Sequence, residues 1–142
     1  MPLNPEDTYV HLAVDGTAQK TPGGAEFWSL PPDEMCKFGQ GWLISKFICT
    51  QDWPNWEMHP HGDEFVYLLN GDVELVLELP TGTTSERMTG RGAIVVPRNV
   101  WHTARVFLPS RMLFVTRGED TQHKPANGDQ PLARGSANGT PR

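Results

Sequence analysis

Alternation of apolar and polar residues is the main pattern along this chain. It is clearest in the segment 73–79, where apolar side chains at every second position are separated mostly by acidic ones. Such spacing is typical of a β-strand with one buried face, because successive side chains of a strand point to opposite sides. Comparable runs occupy 41–50, 64–69, 93–96, 102–107 and 112–116. The pattern therefore predicts an all-β, antiparallel protein.

The residues between these runs predict the turns. Gly, Pro, Asn or Asp bounds each run, and Asn70-Gly71-Asp72 joins two of them. Asn and Gly accept positive φ angles at low cost, so this tripeptide predicts a tight hairpin turn. A short helical turn is expected at 31–38, where Asp33 and Glu34 follow two prolines. Short strands at near-regular spacing favour a sandwich or a barrel.

The two ends of the chain differ in composition from its centre. Residues 1–7 and 119–142 hold few large apolar side chains and several Pro, Gly or Asn residues. We expect a flexible N-terminus at 1–7, one folded domain at 8–118 and a disordered tail at 119–142. A chain of 142 residues has room for one domain with a real core.

Composition and charge narrow the classes of partner. The formal net charge is −5 and the 12 Lys and Arg residues are scattered, which argues against a nucleic-acid surface. No apolar stretch approaches the roughly 20 residues of a spanning helix, and the first residues do not look like a signal peptide. We therefore expect a cytoplasmic protein whose partner is a small molecule, not a nucleic acid or a membrane.

Candidate metal-binding residues cluster in one short segment. Imidazoles and carboxylates crowd into residues 57–64: Glu57, His59, His61, Asp63 and Glu64. Strand alternation would place the first three on one face, and a bend at Gly62 would let Glu64 begin the next strand. A further histidine, His102, follows a Pro-Arg-Asn turn. Clusters of these residue types are typical of metal sites.

The two segments resemble the two signature motifs of the cupin superfamily. The first motif consists of His, any residue, His, three or four residues, Glu, six residues and Gly. In this chain, six residues separate Glu64 from Gly71. This register puts His59 in the place of the second histidine and Glu57 in the place of the first. In the alternative register, His59 and His61 form the pair, with only two residues before Glu64. We prefer the first register because of the strand alternation.

The second motif is matched at its proline and its histidine. Pro97 precedes His102 by five residues, and Asn99 stands where the family usually has a glycine. Because Asn also accepts left-handed backbone angles, we expect the turn to form. The two motifs cover about a third of the chain.

The resemblance implies an antiparallel jelly-roll β-barrel with one divalent metal ion. Its ligands would be Glu57, His59, Glu64 and His102, and Fe, Mn, Ni or Zn would suit them. The implied function is metal-dependent chemistry on a small molecule, by a dioxygenase or an isomerase, with Glu57 or His61 as acid or base. The alternative is a non-catalytic module that binds or senses a metal or a metabolite. The family also implies a homodimer, and Trp56 or Trp101 is expected to wall the pocket.

Overall fold

The computed structural model describes residues 1–126, and antiparallel strands dominate it. The nine strands are β1 (Thr8–Leu12), β2 (Ala18–Pro22), β3 (Trp42–Cys49), β4 (Asn55–Met58), β5 (Glu64–Leu79), β6 (Gly82–Thr89), β7 (Gly92–Val96), β8 (Trp101–Thr116) and β9 (Gln122–Pro125). Two short helices, α1 (Ala25–Trp28) and α2 (Pro32–Met35), and a 3₁₀ turn at Cys36–Phe38 lie between β2 and β3. The predicted strand at 41–50 and the helical turn at 31–38 are both confirmed.

The strands form a jelly-roll arrangement. One path runs β2-β1-β3-β8-β4-β9, while β5 pairs with β6, β7 and β8. Every pairing is antiparallel. The sheet curls over its inward-facing side chains, but the strand path stays open and does not close into a continuous ring. The expected all-β jelly roll is confirmed.

The prediction of a hairpin turn at Asn70-Gly71-Asp72 is wrong. These residues lie inside β5, which continues to Leu79, and the register against β8 shifts there as it does at a β-bulge. Gly71 has φ 132°, and a Cβ atom on it would meet Ser110 Oγ at 2.1 Å. The Asn-Gly signal therefore marks a bulge where two strands approach closely, not a change of chain direction. The hairpin comes later, between Leu79 and Gly82.

Residues 119–126, expected to belong to the tail, contain the strand β9. Strand β9 pairs with β4 over four residues, and the Trp56 Nε1–H group donates to the carbonyl oxygen of Ala126 at 3.1 Å. The remainder of the expected tail, 127–142, lies outside the described residues. At the other end, Lys46 bonds the Pro5 carbonyl with its backbone N–H and the Glu6 carboxylate with its ammonium group. Part of the segment 1–7 thus contacts β3.

Two apolar clusters form the interior. The larger lies between the long strands and consists of Cys49, Trp53, Val66, Leu68, Val73, Leu75, Leu77, Met88, Val96, Val100, Ala104, Met112 and Phe114. The smaller joins Tyr9, Phe27 and Leu43 to the helical segment 25–38. In the described part of the chain, neither helix has the length and apolar character needed to cross a bilayer. Residues of the smaller cluster line a cavity together with His59, and Trp53 of the larger cluster lies 6.3 Å from His102, ring centroid to ring centroid.

Candidate metal centre

Four buried polar side chains meet in the interior of the jelly roll: Glu57, His59, Glu64 and His102. Each is at most 2% exposed, and each offers one ligand atom within 4.8 Å of the other three. His59 Nε2 lies 3.4 Å from Glu57 Oε1 and 3.5 Å from Glu64 Oε1. His102 Nε2 lies 3.1 Å from Glu64 Oε1 and 3.9 Å from Glu57 Oε1. The two imidazole nitrogens and two carboxylates thus converge on one point.

Three strands bring these residues together. Glu57 lies on β4, Glu64 begins β5 and His102 lies near the start of β8. The alternation of each strand turns these side chains inward, beside apolar neighbours such as Val66 and Ala104. His59 follows directly after β4, and its backbone carbonyl accepts a hydrogen bond from the Asn99 N–H at 3.0 Å. That bond ties the loop after β4 to the loop that leads into β8.

The hydrogen bonds of His102 fix which of its nitrogens faces the site. Its Nδ1 lies 3.0 Å from the carbonyl oxygen of Val100, which can only accept, so Nδ1 carries a proton. In a neutral ring, Nε2 then presents a lone pair toward Glu64 Oε1. Two lone pairs at 3.1 Å repel each other unless a positive charge lies between them. The pair therefore requires either a proton shared between the two groups or a cation.

In His59, too, Nδ1 carries a proton and Nε2 faces the site. Its Nδ1 lies 2.7 Å from Thr121 Oγ1, whose own proton is donated to the carbonyl of Gly118 at 2.9 Å. Thr121 must then accept, so Nδ1 of His59 is the donor. His59 Nε2 is buried and makes no hydrogen bond of good geometry with the described residues. Both histidines thus direct Nε2 toward the carboxylates, as metal-binding histidines do when their other nitrogen is hydrogen-bonded.

The carboxylates change the protonation of His59. Burial disfavours its charged form, but the negative charges of Glu64 and Glu57 outweigh burial and raise the pKa of His59 from 6.5 to about 9. Without a metal, a proton on His59 balances part of the buried negative charge. A cation bound between the four groups would take over that role and displace the proton.

A threonine orients the second carboxylate. Thr116, near the end of β8, donates its hydroxyl proton to Glu64 Oε2, while Glu64 Oε1 faces both histidines. Mixed nitrogen and oxygen donors of this kind fit a divalent transition metal, with room for a further ligand. The donor set therefore matches a metal ion on chemical grounds.

Comparisons with known proteins agree with this architecture. No family model and no curated protein sequence matches the chain. Among solved structures, it is similar to peruvianin-I, a cysteine peptidase from Thevetia peruviana latex, with a TM-score of 0.50 and 11% identity over 60% of this chain and 56% of that chain. It is also similar to a cupin-2 domain protein of Shewanella frigidimarina, with a TM-score of 0.43 and 13% identity over 66% and 98% of the two chains.

A further similar structure is hydroquinone 1,2-dioxygenase from Sphingomonas, solved with 4-hydroxybenzoate bound, with a TM-score of 0.43 and 16% identity over 54% of this chain. The match spans 60% of the dioxygenase chain and 56% of peruvianin-I. The strand order and the positions of both motifs define the architecture. The chain has the cupin fold.

The cupin motifs can now be placed on the strands. Glu57 and His59 face the site, whereas His61 is exposed and pairs through Nε2 with Asp120 Oδ2 at 2.8 Å. The pair of the preferred register, Glu57 and His59, thus lies beside Glu64 and His102, whereas His61 of the alternative register lies apart from them. Asn99 has φ 65°, so the turn before His102 forms as expected.

Asp63, a member of the 57–64 cluster, caps that turn. It is exposed, and its Oδ1 accepts a hydrogen bond from the Arg98 N–H at 2.9 Å. It thus supports the loop that leads to His102. His61 belongs to a separate exposed group with Glu119 and Asp120.

The cavity beside this cupin site has walls that sequence reasoning missed. A cavity of about 260 Å³ reaches His59 and is lined by Phe27, Trp28, Met35, Phe38 and Leu43 among others. Neither Trp56 nor Trp101 lines it, which corrects that expectation. Instead, Lys124 Nζ lies 5.7 Å from the Trp56 ring and 4.5 Å from the Trp101 ring. The aromatic and apolar residues at 27–38 are the only sequence signal that could have indicated the wall.

His123 is a further residue near the site that the sequence analysis does not predict. It lies on β9, lines the cavity, and places Nε2 4.0 Å from Glu57 Oε2. No sequence pattern indicates this position, because the segment around His123 lacks the apolar alternation of a half-buried strand. The imidazole is 41% exposed, so a molecule in the cavity can meet it.

Proposed function

We propose that this cupin binds one divalent metal ion through Glu57, His59, Glu64 and His102 and acts with it on a small molecule. The observation that carries the proposal is the pair of Nε2 atoms held toward two buried carboxylates by hydrogen bonds on Nδ1. Two buried carboxylates are costly without compensating positive charge. A divalent cation supplies that charge at the point where all four groups meet.

The proposed reaction class is oxygen-dependent oxidation or isomerisation. A bound ion would supply a Lewis acid with open positions for an oxygen atom of the substrate. Fe, Mn, Ni and Zn all accept this donor set, so the ligands do not select one metal. The cavity that reaches His59 gives the substrate its place.

We assign the acid–base role to Glu57. Its carboxylate is 2% exposed, and Oε2 faces His123 while Oε1 faces His59 and His102. A carboxylate in this position can hold or accept a proton next to the substrate cavity. His61 lies in the separate exposed group with Asp120, so we do not assign it that role.

Elemental analysis of the purified protein tests the metal site. We expect close to one equivalent of a divalent metal in the wild type and less than a tenth of that in His59→Asn and His102→Asn. His61→Asn is the matched control, since it removes an exposed imidazole of the same motif, and it should keep the metal. Full metal content in a folded His59→Asn/His102→Asn double variant would contradict the proposal.

The Glu57→Gln variant separates binding from catalysis. If Glu57 acts as a proton acceptor, the variant keeps much of its metal but loses turnover. Oxygen consumption by the iron-loaded protein, measured against thiols, catechols, diketones and sugars, together with assays for isomerisation, provides the readout. Binding without turnover across these panels would favour the non-catalytic binding or sensing module.

A further inference from the structure

The cavity beside the metal centre has an apolar wall and several polar lining residues. Its wall consists of Phe27, Trp28, Met35, Phe38 and Leu43, all from the segment 27–43. The polar side chains of the lining are Ser45, His59, Thr116, Thr121 and His123; His59 belongs to the four-residue group, and Thr116 and Thr121 hydrogen-bond members of it. A molecule in this cavity therefore meets apolar surface and, at His59, the candidate metal centre.

The aromatic wall is held in place by its own packing. The Phe27 ring is 1% exposed and lies 5.3 Å from Tyr9, 4.8 Å from Trp28 and 5.2 Å from Phe38, in edge-on or tilted geometry. The indole N–H of Trp28 donates to the Tyr9 hydroxyl at 3.3 Å. Because that polar group is already bonded, Trp28 offers the cavity mainly apolar ring surface.

The lining also shows which ligands the cavity does not favour. Among the described residues that line it, none is Lys, Arg, Asp or Glu, and the titratable groups are His59 and His123. A phosphate or a dicarboxylate would enter without a cationic side chain to balance it, at a large desolvation cost. A sugar would leave most of its hydroxyl groups facing apolar carbon.

The volume limits the size of the ligand. Dry protein cavities of about 150 Å³ accept one benzene molecule. At about 260 Å³, this cavity has room for one ring with a substituent, or for two fused rings. Its size thus favours a compact, flat molecule.

We propose that the substrate is a small, uncharged aromatic molecule with a single oxygen-bearing end. Its ring lies against Phe27, Trp28 and Phe38, and its oxygen points to the metal held by the four ligands. His123, one of the polar lining residues, is placed to hydrogen-bond that oxygen. This assignment of substrate class rests on the proposed metal-dependent function.

Calorimetric titration of the full-length protein tests the assignment with phenol, toluene and ribose 5-phosphate as probes. The zinc-loaded protein should bind phenol at least tenfold more tightly than ribose 5-phosphate. Phenol should also bind at least tenfold more tightly than toluene, since only phenol has an oxygen for the metal. After metal removal by a chelator, phenol and toluene should bind with similar affinity.

Variants locate the binding in the cavity. Met35→Trp fills the space and should weaken phenol binding at least tenfold, and Phe38→Ala removes part of the wall and should weaken it as well. Phe107→Ala is the control, because Phe107 is 47% exposed on β8, contacts Arg87 and does not line the cavity. Its phenol affinity should stay within twofold of the wild type.

The outcomes separate this inference from the metal proposal. Unchanged phenol binding in both cavity variants, each shown to be folded by circular dichroism, would overturn the apolar cavity as the binding site. Preference for ribose 5-phosphate over phenol would overturn the substrate class. If the cavity variants weaken phenol and toluene alike while metal removal affects neither, the apolar cavity stands and the metal-dependent function is overturned.

Discussion

Glu57 and His102 lie directly opposite each other on β4 and β8, where they form the backbone-paired position recorded between these two strands in the described chain. Their side chains point to the same face, with Glu57 Oε1 3.9 Å from His102 Nε2. Pairing across the sheet therefore brings the two sequence motifs together independently of a bound metal. The position where most cupins have a histidine is thus occupied by a carboxylate that faces the histidine of the second motif.

The threonine behind Glu64 should control metal affinity without being a ligand. We expect Thr116→Val to lower the affinity about 10- to 100-fold, because Glu64 loses the hydroxyl that orients it. Thr103→Val is the control, since Thr103 is a buried threonine of the same strand whose hydroxyl donates to the Asn55 carbonyl. Competition with a fluorescent chelator measures the metal affinity of both variants. Equal affinities in the two variants would argue against an orienting role for Thr116.

The metal-free protein should lose stability as the pH rises. The pKa of His59 is raised from 6.5 to about 9, so its stabilising contribution is complete below pH 6.5 and disappears as the pH passes through about 9. The loss should be on the order of 3 kcal/mol, at about 1.4 kcal/mol per pKa unit. Urea unfolding in chelator at pH 6, 8 and 10 measures it. His59→Asn should lack this part of the pH dependence, and the same loss in the variant would refute the assignment.

The bulge at Gly71 should tolerate no side chain. Gly71→Ala places a Cβ 2.1 Å from Ser110 Oγ and 2.6 Å from Ser110 Cα, and we expect a destabilisation of about 3 kcal/mol or more. Gly82→Ala is a closely matched control, because Gly82 has φ 131°, similar to the 132° of Gly71, but has no atom within 4 Å of the added Cβ. It should cost about 1 to 2 kcal/mol from backbone strain alone. Thermal unfolding compares the two, and equal losses would contradict the steric argument.

The last described strand should be required for the site. A chain that ends at Gly118 lacks Thr121, which accepts from His59, and His123, which faces Glu57. We expect its metal affinity to fall at least tenfold, whereas a chain that ends at Ala126 keeps β9 and should bind as the full chain does. Equal affinity in both truncated proteins would show that β9 is dispensable.

The homodimer inferred from the family resemblance stays a prediction. Sedimentation equilibrium should give twice the 15.8 kDa of one chain. A mass of one chain at micromolar concentration would show that the resemblance does not extend to assembly.

Local pattern predicted the strands well and their connections less well. Alternation in 73–79 and 102–107 indicated half-buried strands, which the structure contains. Whether Gly71 forms a turn or a bulge depends on Ser110 of the partner strand. Ser110 lies far from Gly71 in the sequence, so a pattern of neighbouring residues does not include it. The pattern therefore divided β5 and β8, each 16 residues long, into shorter pieces.

The sequence predicts the parts of the candidate site that consist of typical metal-binding residues. It does not predict the parts that reach the site only through strand pairing and packing. Glu57, His59, Glu64 and His102 stand out because buried carboxylates and imidazoles need a reason to cluster. His123 does not stand out, since β9 joins the sheet through backbone hydrogen bonds and three of its four side chains are exposed. Phe27 and Trp28 resemble ordinary core residues, and only their position beside His59 gives them a role at the site.

The limited backbone pairing of β4 with β8 bears on how quickly an ion can leave. This strand has four residues, carries Glu57 and leads into His59. One backbone-paired position and the Thr103–Asn55 hydrogen bond join it to β8, and its other neighbour is β9, the last described strand. The four ligating groups are nearly closed to solvent, so release of an ion needs a transient separation of this edge. Metal exchange in the folded protein should accordingly be slow, and its rate should follow the fraying of β4 and β9 more closely than the equilibrium affinity of the ligands.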